Sequence, residues 1–139
     1  MIEFYFEMDF MLHNSTRYAD WVSRVIRSEQ YTIHTINYIF CEDTYLHRLN
    51  KEYLRHDSLT DILTFDYSDQ GCLSGDIFIS IERVQDNALT YGFGFDEELR
   101  RVMAHGLLHM MGYKDKSDEE RIVMRSAETK KMELFHVKQ

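Results

Sequence analysis

Two rhythms of hydrophobic and polar residues run along this chain. Ile2 to Glu7 is rich in strand-forming residues, and Tyr31 to Cys41 alternates, with Ile33, Thr35, Asn37 and Ile39 set against Thr32, His34, Ile36, Tyr38 and Phe40. Strict alternation is the mark of a half-buried strand. Ile62 to Tyr67 and Asp76 to Ile81 are two more such runs, and the turn residues Ser68-Asp69-Gln70-Gly71 between them predict a hairpin. The other rhythm is helical. Asn14-Ser15-Thr16 offers caps for a helix to about Ser28, with Trp21, Val22, Val25 and Ile26 on one face. Asp43-Thr44 opens a second, with Tyr45, Leu46, Leu49 and Tyr53 at helical spacing. A third covers about Ile81 to Leu89 and is broken by Gly92 and Gly94. Asp96-Glu97-Glu98 supplies the acidic start that a fourth helix prefers, and Gly112 stops it after about Met111. Ser117-Asp118-Glu119-Glu120 reads as a capping box for a last helix to about Phe135. The expected fold is α+β, a small mixed four-stranded sheet packed with about five helices, in the order β-α-β-α-β-β-α-α-α.

Length and composition are consistent with a single domain over residues 1–139. Apolar residues make up 44% of the chain, with nine Phe and nine Tyr, and no repeat or low-complexity tract divides it. Cys41 and Cys72 are isolated thiols without a CxxC neighbour, so reduced cysteines in a reducing compartment are expected. The opening residues lack the basic start of a signal peptide, and no stretch approaches the ~18 apolar residues of a membrane span. A cytoplasmic location and no membrane partner follow as expectations. The formal net charge of −8 excludes non-specific nucleic-acid binding through bulk positive charge. A nucleic-acid substrate would need a local basic patch, a metal or a partner.

The chemistry concentrates in His105-Gly106-Leu107-Leu108-His109-Met110-Met111-Gly112-Tyr113-Lys114-Asp115. His105 and His109 stand at i and i+4, which puts both imidazoles on one helix face, one turn apart, within reach of one ion. Gly112 accepts a positive φ and lets the chain turn sharply, so that Asp115 can swing back as a third ligand. Two histidines, a carboxylate and a fourth position left for water are the arrangement of a catalytic zinc site, with one Zn²⁺ per chain. The offsets of His105, His109 and Gly112 also match those of the metzincin proteases, but Gly106 stands where those enzymes carry their catalytic Glu, which argues against a peptidase.

With Gly106 in that place, the stretch resembles the H-G-x-L-H-L-x-G-Y-D-H signature of the YbeY endoribonuclease family, the bacterial rRNA maturation factors. Leu49-Asn50-Lys51-Glu52-Tyr53 resembles that family's LN-x-x-Y segment, Thr60-Asp61-Ile62-Leu63-Thr64-Phe65 its T-D-V-L-S-F strand, and Ser74-Gly75-Asp76-Ile77-Phe78-Ile79-Ser80 its G-D-I strand. The resemblance covers most of the chain. It implies a zinc-dependent, single-strand-specific endoribonuclease that processes rRNA, notably the 3′ end of the small-subunit RNA, and serves ribosome quality control. Ribosomal proteins or a ribosome-associated GTPase are the partners it implies.

Two positions depart from the family pattern. The family's third ligand is usually His, and Asp115 replaces it. The arginine that usually follows the Tyr of LN-x-x-Y is displaced by one residue: Leu54 holds its place and Arg55 follows. Arg55 is the expected catalytic residue, steadying negative charge on the phosphate. Arg48, Lys51, Lys114 and Lys116 would complete a basic surface. Asp61 and Asp76, charged residues in strand-like runs, are read as structural groups or as orienters of the ligands. Two rival readings stay open: a metallohydrolase of another substrate, and a zinc-stabilised, non-catalytic ribosome-assembly factor.

Overall fold

In a computed structural model of the chain, which describes residues 1–53 and 60–136, the elements follow the expected order. They are β1 (Ile2–Phe6), α1 (Ser15–Ser28), β2 (Thr32–Cys41), α2 (Asp43–Tyr53), β3 (Ile62–Asp66), β4 (Cys72–Ser80), α3 (Ile81–Tyr91), α4 (Phe95–Met110) and α5 (Asp118–Glu133), closed by a 3₁₀ turn at Leu134–His136. The sheet order is β1-β2-β4-β3. The pairs β1·β2 and β2·β4 are parallel, and β3 runs antiparallel to β4 at the edge. This is the mixed sheet with five helices that the periodicities predict.

The hairpin turn lies where the sequence places it. Gln70 and Gly71 both have positive φ, 47° and 78°, and Asp69 pairs with Cys72 across the turn. The strand after it is longer than expected, starting at Cys72 rather than Asp76. Gly75 hides this start, because glycine is a poor strand former, yet only glycine fits there. A Cβ at Gly75 would lie 2.5 Å from the Phe65 carbonyl oxygen and 2.8 Å from Met110 Cε. Asn14 sits at the N-cap of α1 but in a left-handed conformation, with no side-chain capping bond. The capping box at Ser117 and Glu120 is formed in both directions.

Alternation along the strands separates two apolar layers. Ile36, Tyr38, Phe40, Ile77 and Ile79 are buried in the main core with Trp21, Val22, Val25 and Ile26 of α1 and with Leu99, Val102, Met103 and Leu107 of α4. Phe78 turns to the opposite face, where Cys41, Leu46 and Leu63 pack under α2. Met103, Met110, Met111 and Met124 are all buried, as their spacing predicts. Helix α4 lies close on β3 and β4 through Gly106, where a Cβ would come within 2.9 Å of Ile62 Cδ1 and 3.2 Å of Ile77 Cγ2. That contact fixes how closely the helix lies on the sheet. Among the described residues, no helix is long and apolar enough to cross a membrane.

Candidate metal centre

Three side chains converge at the C-terminal end of α4. His105 and His109 project from the same helix face with ring centroids 4.5 Å apart. After Met110 the helix ends, and Gly112 takes φ 98°, a conformation strained for any residue with a Cβ. The chain then turns back, and the Asp115 carboxylate reaches both rings: Oδ2 lies 3.3 Å from His105 Nε2 and 3.2 Å from His109 Nε2. One donor atom from each of the three residues falls within 4.8 Å of the others, so the group can hold a metal ion.

The other ring nitrogens show why a cation fits. His109 Nδ1 is 3.0 Å from the Tyr113 carbonyl oxygen, which only accepts, so this nitrogen donates. His105 Nδ1 is 2.7 Å from Glu128 Oε2, a carboxylate oxygen. In the neutral form with a proton on each Nδ1, both Nε2 atoms present lone pairs, and they face a carboxylate oxygen. Three acceptors gathered without a hydrogen between them repel unless positive charge sits among them. Imidazole nitrogen and carboxylate oxygen are also the donor types zinc takes, and a metal-binding histidine is commonly held by such an acceptor at its far nitrogen.

The electrostatics agree. Burial alone would push the His105 pKa down, but Glu128, Asp115 and Asp61 together raise it above the ordinary value. The pocket therefore draws positive charge to this ring. Asp61 precedes β3 and lines the same cavity, about 340 Å³ in volume, with His105 and Asp115. Burial raises its pKa, against the opposing pull of His105, and its Oδ2 accepts from Asn87 Nδ2 at 3.3 Å. Asp76 stands apart from this cavity and accepts from Asn37 Nδ2 at 3.0 Å between two parallel strands.

Not every residue singled out in the sequence gathers here. Arg55 and its neighbour His56 lie outside the described residues. Arg48 and Lys51 are exposed on α2, and Lys114 and Lys116 are exposed on either side of Asp115. Among the described residues, the cations that line the cavity are Arg101, Arg121 and Arg125. Glu128 was also missed, although it falls one helical turn after Met124 on the buried stripe of α5. A carboxylate at an apolar position of an amphipathic helix is the signal that could have found it.

The comparisons with known proteins agree with this picture. The profile of the family described as endoribonuclease YbeY matches residues 6–136. A Flavobacterium johnsoniae protein named endoribonuclease YbeY is 55% identical over 139 residues, covering 100% of both chains. Its namesake from Flavobacterium psychrophilum is also 55% identical, over 100% of this chain and 99% of its own. That from Christiangramia forsetii is 49% identical, over 99% and 96%. The solution structure of a Thermotoga maritima protein superposes with a TM-score of 0.68 over 97% of this chain and 89% of that one, at 24% identity, and so shares the fold. Matched along nearly its whole length by the family profile and by full-length relatives, the chain belongs to the endoribonuclease YbeY family.

Proposed function

We propose that this chain, an endoribonuclease by its family, is zinc-dependent and acts on single-stranded rRNA, with His105, His109 and Asp115 as the metal ligands. The observation that carries this reading is the convergence of two Nε2 atoms and a carboxylate oxygen, with both Nδ1 atoms already partnered. Its biological setting follows from the family resemblance: maturation of the small-subunit rRNA 3′ end and ribosome quality control, in the cytoplasm, by a single domain spanning residues 1–139. Ribosomal proteins or a ribosome-associated GTPase are proposed to deliver the RNA, since a net charge of −8 gives the chain little affinity for naked phosphate backbone.

The bound zinc would supply Lewis-acid polarisation of the phosphoryl group and a lower pKa for a coordinated water. The remaining work falls to side chains. Glu128 and the Tyr113 carbonyl hold the two imidazoles in orientation. Arg121 donates to the backbone carbonyls of Asp115 and Lys116, at 3.3 and 2.8 Å, and so fastens the loop that returns the third ligand. Asp115 brings a negative charge where a histidine would bring none, which makes the centre less electrophilic than a three-histidine site. Arg55, assigned from the sequence alone, is proposed to contact the phosphate.

The test is incubation of the zinc-loaded protein with single-stranded rRNA beside His109→Ala and Asp115→Ala. Cleavage by the wild type and loss in both variants support the reading. Cleavage that persists unchanged in both assigns it to another nuclease. A chain that binds zinc, loses thermal stability on chelation and cuts no RNA supports the assembly-factor reading instead.

A further inference from the structure

The two histidines of the centre are held unequally. His109 leans on the neutral carbonyl of Tyr113, in the loop after α4. His105 leans on Glu128, a carboxylate whose side chain is only 6% exposed, on a different helix. A buried carboxylate is costly unless its charge is answered, and here both of its oxygens are engaged. Oε2 faces His105 Nδ1 at 2.7 Å. Oε1 faces Arg101 Nη1 at 3.5 Å and Arg125 Nη1 at 3.6 Å. Arg101 is itself 11% exposed and held from behind, with Nε 3.2 Å from Glu98 Oε1. Glu98, Arg101 and His105 fall on one face of α4 at i, i+3 and i+7, so a buried row of alternating charge runs along that helix and closes through Glu128 of α5.

Such a row makes Glu128 rigid. Arg101 divides its charge between two carboxylates, so Glu128 keeps negative charge to direct at the imidazole. A histidine that donates its far proton to a carboxylate is a stronger metal donor than one that donates to a carbonyl, and its tautomer is fixed more firmly.

We propose that Glu128, held by Arg101, is a positioning residue that locks His105 with Nε2 free and makes it the strong, fixed ligand of the centre, leaving His109 as the yielding one. The inference rests on the metal-binding reading above and extends it to a residue 23 positions from His105 in the sequence.

Three measurements test it on the full chain. In metal-free wild type, ¹⁵N NMR of the histidine rings should show neutral His105 protonated on Nδ1. Finding it protonated on Nε2 overturns the proposal without any variant. Zinc affinity is then measured by chelator competition in wild type, Glu128→Gln and Arg101→Gln. Glu128→Gln keeps the size and removes the charge, and should weaken zinc about 10–100-fold, as loss of such a partner typically does. Arg101→Gln should weaken it less, in the same direction. Visible absorption of the Co²⁺-substituted protein should shift in Glu128→Gln, which a purely structural role would not cause. If wild type binds zinc and Glu128→Gln binds it within about twofold with the same Co²⁺ spectrum, this inference alone is wrong. If wild type binds no zinc, the metal reading falls with it.

Discussion

The candidate centre has a helix-borne half and a loop-borne half, and they are built on different principles. His105 and His109 sit on α4, which is pressed to the sheet at Gly106, and each ring is tied down at its far nitrogen. Their spacing is set by helix geometry and their direction by core packing. Asp115 sits in a loop, 37% exposed at its side chain, and its position depends on the backbone turn at Gly112 and on Arg121 holding the loop carbonyls. The helix half therefore fixes where an ion can lie, and the loop half completes the grip. Substitution of a histidine by alanine should injure binding most, changes behind the helix should injure folding, and changes at the hinge should injure the grip with modest cost to folding.

The largest effect should come from His105→Ala. Four-ligand zinc sites yield roughly 10–16 kcal/mol, about 3 kcal/mol per ligand, so this variant should bind zinc more than about a hundredfold less tightly in chelator competition. Gly106→Leu should follow, acting on stability instead. Its side chain would enter the space of Ile62 and Ile77, and such overpacking costs about 1–3 kcal/mol or more, read as a lowered denaturation midpoint of the metal-free protein. Gly112→Ala should be milder for folding, about 1–2 kcal/mol for a left-handed conformation, yet it should lower zinc affinity because the hinge misplaces Asp115. If Gly112→Ala leaves zinc affinity untouched, the division between the two halves is wrong.

The smallest effect should lie outside the centre, at Glu29. Burial raises its pKa, but the bonds from Lys131 Nζ at 2.8 Å and the Tyr113 hydroxyl at 2.9 Å outweigh it and hold the carboxyl below its ordinary 4.5. A carboxyl depressed in the folded state adds stability above its unfolded pKa and loses it as pH falls through the folded value. Glu29→Gln should therefore cost up to about 1 kcal/mol near neutrality, and the difference from wild type should vanish once the pH is taken below the depressed folded value. Denaturation series at both pH values check this.

Much of this architecture can be read from the residues because local rules and tertiary packing agree. The i, i+4 histidines need only helical geometry, and Gly112 announces its positive φ by being glycine. The Gly106 position, which argues against a peptidase, gains a packing reason that no local rule supplies: it is where α4 meets Ile62 and Ile77. The start of β4 was hidden for the same kind of reason, since Gly75 answers to Phe65 and Met110 from other elements. Glu128 is the clearest case of what local reading misses. Its partners Arg101 and His105 lie on another helix, and the pairing exists only once α5 docks on α4. Among the described residues, the basic side chains that the fold brings to the cavity are Arg101, Arg121 and Arg125, and Arg48, Lys51, Lys114 and Lys116 are not among them.

The most direct test is anomalous scattering at the zinc edge from crystals of the zinc-loaded chain. A single peak should lie among His105 Nε2, His109 Nε2 and the Asp115 carboxylate, with Glu128 still at His105 Nδ1. No peak there, or zinc bound elsewhere while Asp115 turns to solvent, would contradict the account.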